Sequence, residues 1–555
     1  MIMVETNTAM HTGATALVSA LAAQGIDRIF GVPGGHSVPI FDALSQQDAV
    51  RLVLGRHEQG LVFMADGYSR ASGRIGVVTT TSGPGVANMA AAMGQATTDT
   101  SAVLAVSTTV ATTLVRQNRG ALHDLNDSLE IMRPVCRAVR RCERADEIPH
   151  VIAESVGQLR NGRPGGVYCE IPHDLLSASV PATDPPTVAV APEPPESVCV
   201  ETAGQWLGDA QQPLLWAGTG TVISGAGDVL AQLAERLGAV VVTSALARGV
   251  LPAQHPNLIM RNPLAGGPVD ELIADADVVL AVGTMFKQED TSLWNIKFDG
   301  KLIHVDIDEE EIGRTYEPDL GIVADARVAL EAIVAALPDR APADTAWLDR
   351  ANNAHRELFR RIRQLAPAET QAVDILRHAL PEDTIVVADR CSLGYWAHRC
   401  LPANRPRCFQ YPMGYGGLGG ALPQAIGAKI ACPDQPVVCI IGDGGFQYTG
   451  TELIMAVQEQ TPITIIVCNN RSYGAIEAGM QLNLGRAELG CNLLNPDFQK
   501  FADAYGVAAC RADTLDAFAA ALTTSVLLDA INLIELTVEL RDPQYPEREL
   551  MTKFS

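Results

Sequence analysis

Several things are scarce in this 555-residue sequence, and each shortage removes a class of explanation. No apolar run approaches the roughly 18–20 residues of a membrane span, so no membrane role is expected. The opening residues, MIMVETNTAMHTGATAL, carry no basic cluster ahead of an apolar core, so a secretory leader is not expected either. The 12 cysteines are scattered singly from Cys136 to Cys510, without a CxxC pair or a Cys/His ligand spacing. That distribution fits reduced core thiols in a cytoplasmic chain better than a disulfide frame or a zinc site. Basic residues fall short of acidic ones, 41 against 64, and the net charge of −23 would repel a nucleic-acid backbone. A complete GxGxxG is missing as well. Gly218-Thr219-Gly220 reads better as a tight turn in a sheet than as a dinucleotide cradle. Asp306 and Asp308 end a strand where a ribose-binding acid would sit, but an acidic solvated turn, DIDEEE, explains them equally well.

What is present is ordinary for a globular chain, with 47% hydrophobic and 19% charged residues, and the length suggests about three or four domains. Short apolar strands alternate with helical stretches throughout, the pattern of parallel α/β sheets. Two proline-rich stretches, PATDPPTVAVAPEPPESV and LPDRAPADTA, divide the chain. The expected organisation is an α/β domain over 10–180, a linker over 181–198, a central domain over 199–336 and a linker with a charged helix over 337–364. A third domain over 365–545 and a polar tail over 546–555 complete it.

The stretch Val437–Gly474 carries the strongest chemistry. An apolar strand ends in Gly442-Asp443-Gly444-Gly445, a helix follows, and a second apolar strand ends in Asn469-Asn470. In an open α/β sheet, strand C-termini are where ligands bind. Asp443 and Asn470 are 470 − 443 = 27 residues apart, one βαβ crossover, so both oxygens can reach one cation. Glycines beside the carboxylate let backbone N–H groups approach phosphate oxygens. Hard oxygen ligands with a phosphate partner suit Mg²⁺. A second landmark is Glu58, in RHEQG after a short strand. A carboxylate there, ahead of an apolar helix, is expected to be poorly solvated and able to hold a proton; alternatively it stabilises a helix start.

The GDG…NN pattern resembles the signature of thiamine-diphosphate (ThDP) enzymes. RHEQG, MADGYSRASG and TSGPG resemble the pyrimidine-binding domain of the acetolactate synthase-like and benzaldehyde lyase-like members. The resemblance covers about 550 residues and implies three doubly wound parallel-sheet domains: pyrimidine-binding, central and diphosphate-binding. It implies Asp443, Asn470 and the carbonyl of Ser472 as Mg²⁺ ligands, and Glu58 as the acid on the aminopyrimidine. Leu418, in GYGGLGGALPQAIGA, matches the apolar wedge that bends the cofactor. Gly442, Gly444, Gly445, Tyr473 and Gly474 line the diphosphate on one side, and Cys391, Ser392 and Leu393 lie in a strand-end loop on the other. His36 stands where benzaldehyde lyase-like members carry an active-site histidine, and His123 where the synthases place Gln. Imidazoles there suit proton transfer. The central domain binds FAD in some members and nothing in others. Glu58 and the metal site come from different subunits in this family, which implies a homodimer or homotetramer with its active site at the subunit interface.

The expected activity is C–C bond cleavage or carboligation on a small 2-oxo acid or 2-hydroxy carbonyl substrate, as in acetolactate synthase. The alternatives are a 2-oxo acid decarboxylase, a 2-hydroxyacyl-CoA lyase and, more remotely, a catalytically silent binding subunit. Two departures from the synthase pattern open the pocket: Gly479 stands at the family's bulky Trp and Leu122 at its Phe. A nicotinamide-dependent oxidoreductase is disfavoured by the missing GxGxxG.

Overall fold

The computed structural model describes residues 10–260, 267–339, 345–486 and 489–546. Residues 340–344 of the second expected linker and the tail beyond residue 546 lie outside them. By internal contacts the chain falls into two compact units, one of residues 1–191 with 426–431 and 451–460, the other of the remainder.

The first unit is built on a six-stranded sheet. A short outlying strand β1 (Met10–Thr12) is followed by β2 (Arg28–Gly31), β3 (Arg51–Leu54), β4 (Gly76–Thr80), β5 (Val103–Thr109), β6 (Ala138–Arg141), β7 (Gly166–Pro172) and β8 (Ser179–Pro181). β1 and β8 pair antiparallel, while the main sheet is all parallel in the order β3-β2-β4-β5-β7-β6. All seven residues of β5 and of β7 are buried. Helices cover both faces of such a sheet, which is why these strands read as near-continuous apolar runs instead of alternating.

The second unit holds two sheets. β9 (Pro213–Ala217), β10 (Val240–Thr243), β11 (Val278–Val282), β12 (Lys301–Asp306) and β13 (Leu320–Val323) form a parallel sheet ordered β10-β9-β11-β12-β13. β14 (Ile385–Ala388), β15 (Phe409–Gln410), β16 (Val437–Gly442), β17 (Thr464–Cys468), β18 (Ala508–Ala512) and β19 (Asn532–Leu536) form another, ordered β15-β14-β16-β17-β19-β18. The expected three parallel-sheet α/β domains are therefore present. Numbered within each sheet, the first and third both run 2-1-3-4-6-5, a likeness that their sequences hide.

Local details sharpen the expected elements. The helix after β3 spans Glu58–Ser72, beginning three residues earlier than the apolar pattern from Leu61 suggests. The His57 side chain accepts the Gln59 N–H and so caps it, placing Glu58 at the positive end of the helix. The segment Cys391-Ser392-Leu393 is not a loop. Cys391 is the N-cap and Ser392 the first residue of the helix Ser392–Cys400, because Leu393, Trp396 and Ala397 supply a buried stripe. All 12 cysteines carry free thiols, and among the described residues no helix is long and apolar enough to cross a membrane.

Candidate active site

Parallel sheets offer ligands a crevice where neighbouring strand connections leave in opposite directions. In the first sheet that point lies between β2 and β4, and in the third between β14 and β16. The polar residues singled out above gather at these strand ends.

At the end of β2 the chain turns through Gly34-Gly35 into His36, and at the end of β4 through Thr81-Ser82-Gly83. Ser82 Oγ lies 2.5 Å from His36 Nδ1. The His36 ring stacks on His173 with centroids 4.4 Å apart and meets His123 edge-on at 5.4 Å. Burial, then the neighbouring imidazoles of His173 and His123, push the His36 pKa below its ordinary value. His123 sits in the left-handed region at φ 60°, its backbone against Gly83, and its buried Nδ1 has no hydrogen-bond partner. His36 and His123 are thus brought together, and His173, which the sequence reading missed, completes a cluster of three imidazoles. It lies at the end of β7, where no local motif marks it.

Glu58 is part-exposed within its unit and accepts a hydrogen bond from Asn88 Nδ2 at 3.0 Å. A Cβ on Gly85 would stand 2.4 Å from Thr80 Oγ1 and 3.5 Å from Glu58 Oε1, so glycine keeps that space clear. The buried hydroxyls of Thr79, Thr80 and Thr81 have no partner. The poorly solvated carboxylate expected at Glu58 is found instead at Glu452, which the sequence reading did not single out. Glu452 is 1% exposed, accepts the His57 N–H at 2.9 Å and packs against Gly60, leaving Oε2 buried without a partner. Burial raises its pKa to about 7.

In the third sheet, Asp443 is 2% exposed at the start of the short helix Asp443–Thr449. Its Oδ1 accepts the Gly444 N–H at 2.9 Å and its Oδ2 accepts Asn495 Nδ2 at 2.7 Å, while burial pushes its pKa up. Asn470 Oδ1 accepts the Ser472 N–H at 3.2 Å. Ser472 in turn donates its hydroxyl to Glu477. The Tyr473 ring lies so close to Gly444 that a Cβ there would come within 2.6 Å. Asn495 also donates to Asn469 Oδ1 at 2.8 Å and accepts from Gln447, tying the two strand ends together. Neither Asn495 nor its role was visible in the sequence, since it lies outside the βαβ unit.

Leu418 is half-buried in a glycine-rich turn held by Asp389 at the end of β14. The Gly419 N–H donates to Asp389 Oδ2 at 2.7 Å, the Arg390 N–H donates to Oδ1 at 2.8 Å, and burial raises the Asp389 pKa to about 6. The strand-then-aspartate pattern of IVVAD repeats that of VCIIGD and is the signal that would have found it. Cys391 packs beside Gly442, its sulfur 3.9 Å from that of Cys468. Leu393 is wholly buried in the core, so only its backbone is available to a ligand. Gly479 lies beside Gln544, whose amide donates to the Ala475 carbonyl. Leu122 is 73% exposed.

Among the described residues no group of three or more His, Cys, Asp or Glu could hold a metal ion. A cation at this site would rest on one carboxylate, neutral oxygens and oxygens from a ligand. That donor set fits Mg²⁺ on a diphosphate, and a buried carboxylate raised by desolvation is one that a cation would relieve. In the central sheet the corresponding point is closed by backbone. A Cβ on Gly218 would meet the Gly283 carbonyl at 2.1 Å, so Gly218 and Gly220 serve close packing.

Comparison with known proteins matches residues 11–131 to the thiamine pyrophosphate enzyme N-terminal TPP binding domain. Residues 200–333 match the central domain and residues 389–535 the C-terminal TPP binding domain. The chain is 36% identical over 532 residues to the Pseudomonas aeruginosa protein named probable 2-ketoarginine decarboxylase, covering 95% of this chain and 94% of that one. It is 31% identical over 548 residues to a probable acetolactate synthase large subunit of Methanocaldococcus jannaschii, covering 95% and 92%. It is 31% identical over 515 residues to the acetolactate synthase isozyme 3 large subunit of Escherichia coli, covering 90% and 89%.

Proposed function

Because the chain belongs to the thiamine pyrophosphate enzyme family and is a ThDP-dependent carboligase or 2-oxo acid decarboxylase, we propose that it acts first as a 2-oxo acid decarboxylase. Bound ThDP supplies a carbon nucleophile that adds to the substrate carbonyl and stores the electron pair left by carbon dioxide. The observation that carries the choice is the cluster of His36, His123 and His173. Decarboxylation to an aldehyde places a proton where the carboxylate left, whereas carboligation places a second carbonyl there. Imidazoles supply and recover a proton near neutral pH, and burial with its neighbours lowers the pKa of His36. The 36% identical relative, named as a decarboxylase, supports the same reading.

In this reading Glu58 would be the acid that hydrogen-bonds the aminopyrimidine. Asp443, Asn470 and the Ser472 carbonyl hold Mg²⁺. Gly442, Gly444, Gly445 and Gly474 make room for the diphosphate, flanked by Tyr473 and by the backbone of Cys391, Ser392 and Leu393. Leu418, anchored through Gly419 and Asp389, would be the apolar wedge against the cofactor. The enzyme works as a homodimer or homotetramer whose sites draw on two subunits, and its free thiols suit the reducing cytoplasm. Carboligation of the acetolactate synthase type is the second reading, favoured by the relatives of that name.

The test is incubation of the ThDP- and Mg²⁺-loaded enzyme with pyruvate, 2-ketoarginine and branched or aromatic 2-oxo acids, with products identified by mass spectrometry. Aldehyde in step with carbon dioxide is the expected result. A 2-hydroxy-2-alkyl-3-oxo acid as the main product would establish the carboligase reading in its place.

A further inference from the structure

A cavity of about 660 Å³ lies beside the edge strand β10, among residues of the central sheet, of the helices Ala346–Leu365 and Pro367–Ala379, and of the segment after the helix Ser392–Cys400. This volume is within the range that takes a drug-sized ligand. Its charge is opposite to that of the chain. Arg248, Arg356, Arg360, Arg363 and Arg377 line it and, among the described residues, no Asp or Glu does, in a sequence with 64 acidic and 41 basic residues. Two carboxylates stand behind the wall: Glu357 pairs with Arg360 and Arg361, and Asp374 with Arg363 and Arg377. They leave an excess of positive charge. The arginines of the long helix fall on one stripe with His355 and Phe359, whose rings meet edge-on at 4.8 Å. His355 Nε2 is buried without a hydrogen-bond partner, and Leu258, Met260 and Pro402 add apolar wall.

Arg248 connects this cavity to the strand ends of the third sheet. Its guanidinium donates to the carbonyls of Ala397, His398 and Leu401 at the C-terminal end of the helix Ser392–Cys400, where the dipole favours a cation, and lies 4.6 Å from the Phe409 ring centroid. It is buried, among the described residues no carboxylate is hydrogen-bonded to it, and desolvation lowers its pKa to about 10. The same helix begins at Cys391, beside Gly442. Nine residues at about 1.5 Å each make a rigid strut of roughly 13 Å between the cavity wall and that turn.

We propose that this cavity is a binding site for a small organic anion, an aromatic or branched apolar body bearing a carboxylate or phosphate, and that occupancy is sensed at the Cys391 turn through the Arg248-capped helix. Forked guanidinium groups favour planar carboxylate and phosphate, and the apolar wall with Phe359 takes the body.

The site is tested by calorimetric titration of the ThDP- and Mg²⁺-loaded full-length enzyme with phenyl phosphate and with phenylacetate, neither of which is a 2-oxo acid substrate. The expectation is one site per subunit that weakens at least tenfold between 20 and 200 mM salt, roughly as for a ligand held by exposed charges. Arg356→Glu reverses one wall charge at a residue whose guanidinium donates to Asn353, and should weaken binding about tenfold or more, a typical scale for a charged contact. Met260→Trp should abolish binding by filling the space, with the thermal melt checked to show that the variant is folded. Binding of phenyl phosphate alone identifies a phosphate ligand, and binding of both identifies organic anions generally. No binding of either, or equal binding by wild type and both variants, overturns the site. The coupling is read separately as a change in ThDP affinity on adding the anion; an unchanged affinity overturns that half of the proposal.

Discussion

The first and third sheets share one strand order, yet their crevices carry opposite equipment. The first presents three imidazoles, a part-exposed glutamate and unpaired threonine hydroxyls. The third presents two buried aspartates, Asp389 holding the glycine-rich turn and Asp443, with amide side chains and glycines. One is suited to holding and moving protons, the other to a cation and phosphate oxygens. The shared order shows that the topology supplies only a crevice at a reversal of strand connections, and that a few residues in each strand-end turn decide what enters it.

That division of labour can be broken from either side. Asp443→Ala should have the largest effect, with Mg²⁺-dependent ThDP binding weakened by about 100-fold or more as the only carboxylate among the proposed metal donors is lost. Calorimetry checks it, and unchanged affinity would remove Asp443 from the cation site. Glu58→Gln should lower turnover by about 10²–10⁴, the usual span for a general acid or base. Cofactor binding measured in parallel should be largely spared, and near-wild-type turnover would end the proposed role.

His36→Ala and His173→Ala should each slow product formation by about 100-fold, the lower end of that span. If the cluster delivers the proton, these variants also divert product from aldehyde toward carboligation. A fall in rate with an unaltered product ratio would instead make the histidines structural.

The smallest effect belongs to Glu452. Its carboxyl is raised from 4.5 to about 7, so the native chain binds its proton more tightly than the unfolded chain across that window. The associated stability is complete below about pH 4.5 and is lost as pH rises through 7, up to roughly 3 kcal/mol by linkage. Glu452→Gln should therefore melt close to wild type at pH 5 and above it at pH 8. Parallel melting curves at both values would exclude a buried, protonated Glu452.

The contrast also marks how far local reading reaches. Asp443 and Asn470 were legible because one βαβ crossover brings both to adjacent strand ends, so spacing along the chain is already geometry. Leu418 was legible as a position, but its anchor Asp389 belongs to another strand. Glu58 was singled out by its strand-end setting, whereas the burial expected for it belongs to Glu452, nearly 400 residues away in the chain and packed against the Glu58–Ser72 helix.

The sequence by itself determined the parallel α/β class, through apolar runs that only a sheet covered on both faces explains, and it placed Asp443 and Asn470, the proposed cation donors, in one local unit of the third sheet. Only the tertiary structure decided the rest: the third imidazole, Asn495 bridging two strand ends, and five arginines gathered from separate elements around one cavity. The physical reason is the same in each case. Periodicity and turn chemistry are local properties of a chain, while desolvation and the meeting of charges depend on which distant segments fold against one another.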